Sequence, residues 1–442
     1  MELKRLSLLN FKNVAEARME FASRLNCFVG GNGAGKTNVL DAVHYLSMCK
    51  SAFGMSDAQS IRHGADFFLV DGEYRSDSER RESVVCSCRR GAAKVVKRAG
   101  KQYEKLSDHI GLVPIVMVSP SDTSLISESG EERRRYLNAF ISQLDREYLA
   151  ALVRYNHLLA ERNKLLKLHG TGMDDVLEVI DLQMAEAGGR IYARRKEMLG
   201  RIAPMVAEYY ALLAGDRERI ELSYKSELDE APMDELLRRS REKDRVMQFT
   251  TSGVHRDDIR MRIGGYALRK YGSQGQQKSF LVALKLAQYK IVAEAQGERP
   301  LLLLDDIFDK LDMRRVERLI ALVCEPLFGQ IFITDCNKVR LEGILDRCGE
   351  AYTLFDVADG EIGVLSGSGR VVGAEEGPGK GPDGDKAAVR DGEEKAAGPV
   401  VPNDAGAADG QCDAAEDEGL PGAAGDEAPQ HLRADAGERA GA

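Results

Sequence analysis

Residues 30–37 read GGNGAGKT, which satisfies the spacing GxxxxGK[ST]. That string follows a short apolar run, LNCFV, and opens the helix-patterned TNVLDAVHYLSM, the context in which such a loop can hold phosphate. Gly30, Gly33 and Gly35 let the backbone curl so that successive amides point inward, and the helix beginning at Lys36 adds its positive end. Lys36 is expected to reach the outer phosphates and act catalytically, and Thr37 to offer a hydroxyl to Mg²⁺. Gly31, Asn32, Ala34 and Asn38 complete the residues expected to border the nucleotide. The chemistry implied is binding of a nucleoside triphosphate, ATP with Mg²⁺.

A second string, PLLLLDDIFDKLD, spans residues 300–312. Four leucines ending in two aspartates describe a buried strand that delivers carboxylates to its tip. Asp305 is the expected metal ligand, directly or through water. Asp306 stands where a general base could orient water toward the γ-phosphate. A third string, YGSQGQQKSFLVALKLAQYK, places a Ser-Gln-Gly-Gln loop at the start of a long helix, 32 residues before Asp305. Together with the other two it resembles the signature motif of ABC-type ATPases, in which the loop of one head meets the γ-phosphate held by another. That resemblance implies a homodimer of heads with ATP between them, Ser273, Gly275 and Gln276 being the residues of the loop at the phosphate. DKLD at 309–312 stands where that superfamily has its D-loop.

Positioning these residues requires an α/β head. Apolar runs LNCFV, LLLLD and QIFITD read as buried strands, and SFLVALKLAQYKIVAEA as a helix between them. LKRLSLLNF and Met19 to Phe21 read as strands, and residues 67–103 alternate with period two between turns, as in an antiparallel meander forming a second, smaller sheet. From about 131 to 245 the pattern turns helical: Leu149, Leu152, Leu159 and Leu166 on one face, then Leu177, Ile180, Met184, Ile191, Met198, Ile202 and Met205, with HGTGMDD as the turn between antiparallel helices. The expected fold class is therefore a P-loop ATPase head of ABC type carrying an antiparallel β subdomain and an inserted helical arm. Its expected parts are 1–130 and 246–365 for the head, 131–245 for the arm, and 366–442 for an acidic tail.

That tail holds seven Lys and Arg against seventeen Asp and Glu, with few large apolar residues, so it is expected to be disordered. It accounts for the net charge of -9, the preceding 365 residues carrying +1. Overall acidity therefore excludes nothing about nucleic acid. Eight cysteines are scattered without a CxxC pair, which argues against a zinc site or disulfide framework. With no long apolar run and no signal-like N-terminus, no membrane partner and a cytoplasmic address are expected.

Roughly 240 residues separate the phosphate loop from the signature. This order resembles the SMC-like branch of ABC ATPases, whose heads are split by helical insertions. More closely, NFKNV, GNGAGKTNVLDAVHYLSMCKS, the SPSD turn with ERRRYLN, LLAERNKLLK, TSGVHRDDI, GSQGQQKSF and LLLLDDIFDKLD are similar, in order and spacing, to the RecF family of bacterial recombinational repair proteins. The resemblance covers residues 1 to about 360. It implies an ATP-dependent DNA-binding dimer, acting on duplex and gapped DNA with a RecR-type mediator to help load RecA. Three departures from the wider pattern stand out. Asp306 is shorter by a methylene than the usual Glu, implying slow hydrolysis; Thr334 and Asp335 replace the usual switch histidine; Val254 replaces a proline. An ATPase subunit of a transporter, or of a DNA-break nuclease complex, is the alternative; the long insertion weighs against the first, and the lack of a CxxC hook against the second. For DNA contact the candidates are Arg133 to Arg135, Arg194 to Lys196, Arg238 with Arg239 and Arg241, and Arg260, Arg262, Arg269 and Lys270, although any one such cluster is more often a solvated helical face. His255 and Arg256 either face DNA or brace the head.

Overall fold

The structure is a computed structural model. It describes residues 1–76, 80–168, 174–215, 218–308, 311–348, 352–367 and 370–371. Met1–Gly377 form one compact unit. The tail predicted for 366–442 lies, from residue 372 onward, outside the described residues.

In chain order the chain forms β1 (Glu2–Phe11), β2 (Val14–Glu20), β3 (Leu25–Val29), α1 (Lys36–Met48), β4 (Phe67–Arg75), β5 (Arg81–Arg89), β6 (Val95–Arg98), β7 (Lys101–Gln102) and β8 (Ile115–Val118). Helices α2 (Ser124–Ser127), α3 (Gly130–Ser142), α4 (Arg146–Lys167) and α5 (Asp174–Ala214) follow, then β9 (Ile220–Lys225), α6 (Met233–Met247), β10 (Asp258–Ile263), β11 (Tyr266–Ala267) and α7 (Leu268–Tyr271). The chain continues with α8 (Gln274–Gln296), β12 (Leu301–Asp305), α9 (Met313–Val323), β13 (Ile331–Asp335), α10 (Lys338–Cys348), β14 (Tyr352–Ala358), β15 (Glu361–Ser366) and β16 (Arg370–Val371).

Three sheets result. The six-stranded one has the order β15-β14-β3-β13-β12-β8 and is parallel except for the β14–β15 hairpin. Its strands β3, β12 and β13 are buried along their whole length, which is why they read as unbroken apolar runs. Their period of two divides the interior. Leu25, Cys27, Leu302, Leu304, Ile331 and Ile333 face one core, shared with Phe280, Leu284 and Ile291 of α8. Phe28, Leu301, Leu303 and Phe332 face the other, shared with Val39, Leu40 and Val43 of α1 and with Leu6, Phe68 and Val70 of the antiparallel sheet. Helix α1, which carries the end of the phosphate loop, is thus clamped between two sheets.

The meander is not the smaller sheet that its short strands suggest. With β1, β2 and β16 it makes seven strands in the order β16-β2-β1-β4-β5-β6-β7. The reason is long-range: β1 pairs with β4 from Glu2↔Arg75 to Leu9↔Leu69, a register set by which faces must be buried. Ordered pairing also passes Leu365, because Arg370–Val371 pair with Glu20 and Met19 of β2.

Helices α4 and α5 pack against each other, and α5, whose 41 residues extend about 60 Å, also lies along α8 and β9. The turn HGTGMDD falls largely outside the described residues. On α4 the buried stripe is Tyr148, Ala151, Tyr155, Leu158, Arg162 and Leu166, so of the expected leucines only Leu166 is fully buried, while Leu149, Leu152 and Leu159 are half-buried on its flank. A turn of about 100° per residue separates the two stripes, and tyrosines, alanine and an arginine carry the buried one. The stripe on α5 follows the expected residues closely, with Met205 half-buried. Residues 131–245 are not wholly helical either: β9 pairs with β10 from Asp258↔Lys225 to Ile263↔Ile220, forming with β11 a three-stranded sheet.

Candidate nucleotide site

The phosphate loop leaves β3 and turns into α1 through two glycines at which any side chain would be strained. A β-carbon on Gly30 would lie 2.1 Å from the Val357 carbonyl oxygen, and one on Gly35 2.7 Å from the Asn13 side chain, both with positive φ. Gly31, Asn32 and Gly33 are exposed at the tip, and Ala34 is buried beneath them. Lys36 is nearly buried, and its Nζ donates to the carbonyls of Gly30 and Gly31 at 2.8 Å each, which holds the ammonium across the mouth of the loop. Asn13 ties the loop from outside. Its Nδ2 donates to Ala34 O at 3.0 Å, and its Oδ1 accepts from Asn38 Nδ2 at 2.7 Å. Asn38 therefore braces the loop through Asn13. Asn13 itself is a site residue that the spacing argument missed, and its only signal was its place in NFKNV.

Strand order brings the second string to the first. β13 lies between β3 and β12, so the tips of all three meet at one end of the sheet. Thr37 Oγ1 donates to the Asp305 carboxylate, 2.9 Å from Oδ1 and 3.1 Å from Oδ2. Thr334, from β13, donates to Asp305 Oδ1 at 2.7 Å and accepts the Asp306 amide at 2.9 Å. Burial pushes the Asp305 carboxyl above its usual range, against the hydroxyls of Thr334 and Thr37, which favour the anion. A hydroxyl and a carboxylate in contact are the hard oxygen donors that suit Mg²⁺, and Thr37 and Asp305 are the residues that would hold it.

Asp306 has φ 44°, the left-handed region, and its Oδ1 is buried without a hydrogen-bond partner. Such an oxygen keeps an unused acceptor position. Its carboxylate lies near those of Asp335 and the Cys336 thiol, all within 4.8 Å. Asp335 is already held by Arg340, whose Nη2 donates to its two oxygens at 2.7 and 2.8 Å and whose Nε donates to Oδ2 at 3.1 Å, so it is not a free sensor in place of the missing histidine. Nor is Thr334, whose hydroxyl is used between Asp305 and Asp306.

The signature residues sit apart. Ser273 caps α8: its Oγ accepts the Gln276 amide at 3.3 Å, while Gln276 Oε1 accepts the Ser273 amide at 2.7 Å. Gln276 Nε2 donates to Glu218 at 2.5 Å, so this side chain braces its own loop. Among the described residues, no hydrogen bond joins Ser273, Gly275 or Gln276 to the phosphate loop; the link to that half of the site is Lys278 Nζ, 3.4 Å from Asp306 O. Of the D-loop string, Asp309 and Lys310 lie outside the described residues, and Asp312 caps α9.

The basic clusters divide sharply. Arg195 is buried and bonded to Asp257, Val254 O, Tyr148 and Asn138. Arg133 pairs with Asp258, Arg134 donates to Asp257 O, Arg194 pairs with Asp145 and Glu197, and Arg241 with Asp181. Arg135, Lys196 and Arg239 are exposed but each has an acidic neighbour. Arg238 is exposed. Arg260 and Arg262 on β10, and Arg269 and Lys270 on α7 just after β11, are all exposed. His255 braces the head: Nδ1 accepts from Tyr155 Oη at 2.8 Å, Nε2 donates to Thr250 O at 3.0 Å, and burial pulls its pKa down to about 4. Arg256 is exposed.

A phosphate loop, an acidic strand tip and a separate signature helix on one parallel sheet define an ATPase head of the ABC and SMC type. The fold comparison agrees: the chain superposes on an Smc head bound to the C-terminal domain of ScpA, from Pyrococcus furiosus, with TM-score 0.51 over 82% of this chain and 96% of that one at 16% identity, a likeness of fold alone. Residues 1–104 match the AAA ATPase domain family. The chain belongs to the RecF family. It is 46% identical over 363 residues to the DNA replication and repair protein RecF of Phocaeicola vulgatus, covering 82% of this chain and 98% of that protein. It is 47% identical to that of Parabacteroides distasonis, covering 82% and 99%. It also superposes with TM-score 0.75 on the recombination mediator protein RecF bound to ATP, at 31% identity, over 83% of this chain and 98% of that one. These relationships support an ATP-binding role in DNA repair and replication, and not the transporter or nuclease-complex alternative. No helix among the described residues is long and apolar enough to cross a membrane.

Proposed function

We propose that this protein is an ATP-switched clamp on duplex DNA, two heads closing on two nucleotides. The observation that carries this reading is the half-built site: Lys36, Thr37, Asp305 and Asp306 converge at one end of the sheet, while Ser273 and Gly275 stand at the start of another helix with, among the described residues, no hydrogen bond to the phosphate loop. A second copy would supply the missing half. Mg²⁺, held by Thr37 and Asp305, would neutralise charge on the β- and γ-phosphates. Asp306, with a free buried oxygen, would accept a proton from the attacking water, and Lys36 would hold the γ-phosphate in line. Hydrolysis would open the clamp. The exposed cations Arg260, Arg262, Arg269 and Lys270 are the surface best suited to the DNA backbone, by counterion release.

The solved relative is described as a recombination mediator of the RecFOR pathway. By that kinship, gapped DNA and a RecR-type mediator are the partners proposed for this chain, with RecA loading as the outcome. The test is fluorescence anisotropy of labelled duplex with ATP and Mg²⁺ across salt concentrations. Lys36→Met should abolish nucleotide-dependent dimerisation and binding, and Asp306→Asn should prolong both. Unchanged ATP-stimulated binding by Lys36→Met would remove the clamp.

A further inference from the structure

We propose that Arg315 is a catalytic residue of the composite site, reaching from beside its own signature loop to the γ-phosphate held by a second copy of this chain. The inference rests on the two-headed reading above. Arg315 lies in the first turn of α9, and Asp312 fixes it twice: Oδ1 accepts the Arg315 amide at 3.0 Å, and Oδ2 pairs with Nε at 3.2 Å. That arrangement aims the outer end of the guanidinium away from Asp312. Nη1 then lies 2.8 Å from where a β-carbon on Gly275 would stand, so the guanidinium rests directly on the glycine of the loop, and a side chain there would push it aside. Glu218, bonded to the loop through Gln276, is engaged elsewhere: it accepts Gln276 Nε2 with one oxygen and Tyr210 Oη with the other. The side chain keeps about a fifth of its surface exposed, enough to meet an incoming ligand.

What gathers there is an anion-recognising set. The first turns of α8 and α9 present positive helix ends, Ser273 a hydroxyl, and Arg315 a planar fork of donors whose geometry matches phosphate oxygens. In hydrolysis the water oxygen bonds to the γ-phosphorus and the bond from phosphorus to the β–γ bridging oxygen breaks. ADP leaves with that electron pair, and the water proton passes to Asp306 of the copy that holds the nucleotide. Arg315 of the other copy would neutralise the charge that spreads over the γ-phosphoryl oxygens, a role worth roughly 10³-fold or more in rate.

Mixing of variants tests the assignment, read as single-turnover ADP formation on duplex DNA. Arg315→Ala and Arg315→Gln alone should each lose at least about 100-fold. Mixed in equal amounts with Lys36→Met, which does not pair with itself, either should recover turnover to at most about half of the wild-type rate, because each mixed pair has one whole site of two. Ser273→Asp, which keeps the helix cap but sets a carboxylate against phosphate, is the control and should recover equally with Lys36→Met. Recovery with Ser273→Asp but none with either Arg315 variant would overturn the role of Arg315 and leave the two-headed site standing. No recovery with Ser273→Asp would overturn both. Wild-type turnover by Arg315→Gln alone would also end the proposal.

Discussion

Thr334→Val removes one hydroxyl and keeps the shape of a fully buried side chain. In the structure that hydroxyl does two things at once. It donates to Asp305 Oδ1 at 2.7 Å, and it accepts the amide of Asp306 at 2.9 Å, a residue held at φ 44°. Loss of the first bond takes about 1.5–3 kcal/mol from the charged carboxylate, and an orphaned amide costs about 1–3 kcal/mol more. A non-glycine residue in the left-handed region itself costs about 1–3 kcal/mol and persists only where its surroundings impose it. Without the hydroxyl, Asp306 is therefore expected to relax out of its position, and the carboxyl of Asp305 to rise further in pKa. Part of the loss will be recovered by that relaxation, so about 2–3 kcal/mol of destabilisation is expected, or on the order of 5 °C in Tm. Nucleotide affinity should change by about threefold or less, since Lys36 and the loop amides are untouched, while the hydrolysis rate falls by roughly 10–100-fold. Differential scanning fluorimetry and stopped-flow ADP release measure both. Thr334→Ser keeps the hydroxyl and should behave like wild type in rate. Equal losses in the valine and serine variants would refute the argument, because shape and not hydrogen bonding would then be what matters.

Other outcomes follow from the same geometry. Arg162, fully buried, bonds Asp181 at 2.6 Å, Asp244 at 2.7 Å and Thr250 at 2.9 Å, joining α4, α5 and α6. Arg162→Met leaves two buried carboxylates short of a partner and should cost about 3–5 kcal/mol by urea unfolding. His255, with its pKa lowered to about 4, binds its proton less readily in the folded chain than in the unfolded one, where the value is about 6.5. Its contribution is complete above about pH 6.5 and is lost as pH falls through 4, up to about 3 kcal/mol. His255→Asn should flatten that part of the Tm profile between pH 7 and 4, and an unchanged slope would assign it elsewhere. Arg260→Gln with Arg262→Gln should weaken duplex binding on every sequence and lower the salt slope by about 2 in a log–log plot.

How the sequence and the fold share the explanation is clear from particular residues. Gly30 to Thr37 are contiguous, so their geometry follows from one turn between a strand and a helix, and the string alone announces it. Asp305 was legible for a similar reason: an unbroken apolar run must be buried on both faces, and its polar end must emerge at an edge. Thr334 carries no such mark. It acts only because β13 lies between β3 and β12, and strand order is a long-range property. Asn13 becomes part of the loop through the same kind of distant packing, and Arg315 meets Gly275 across forty residues of chain.

Charge was the least legible feature. Arg162 and Arg195 look like surface cations in the string, yet they occupy stripe positions on α4 and α5 and are bonded to distant acids, Arg162 to Asp181 of α5 and Asp244 of α6 and Arg195 to Asp257 beside β10. Among the candidate clusters, Arg260 and Arg262 on β10 and Arg269 and Lys270 on α7 remain exposed, beside a sheet that forms when β9, from within the arm, pairs with β10. By itself, then, the sequence determined the phosphate loop, the acidic strand tip and the class of head, because local backbone geometry and burial are written in spacing. Which cations are free, which hydroxyl sets Asp306, and where the signature stands relative to the phosphate loop were decided by tertiary structure, because each depends on side chains that meet only after the sheets have formed.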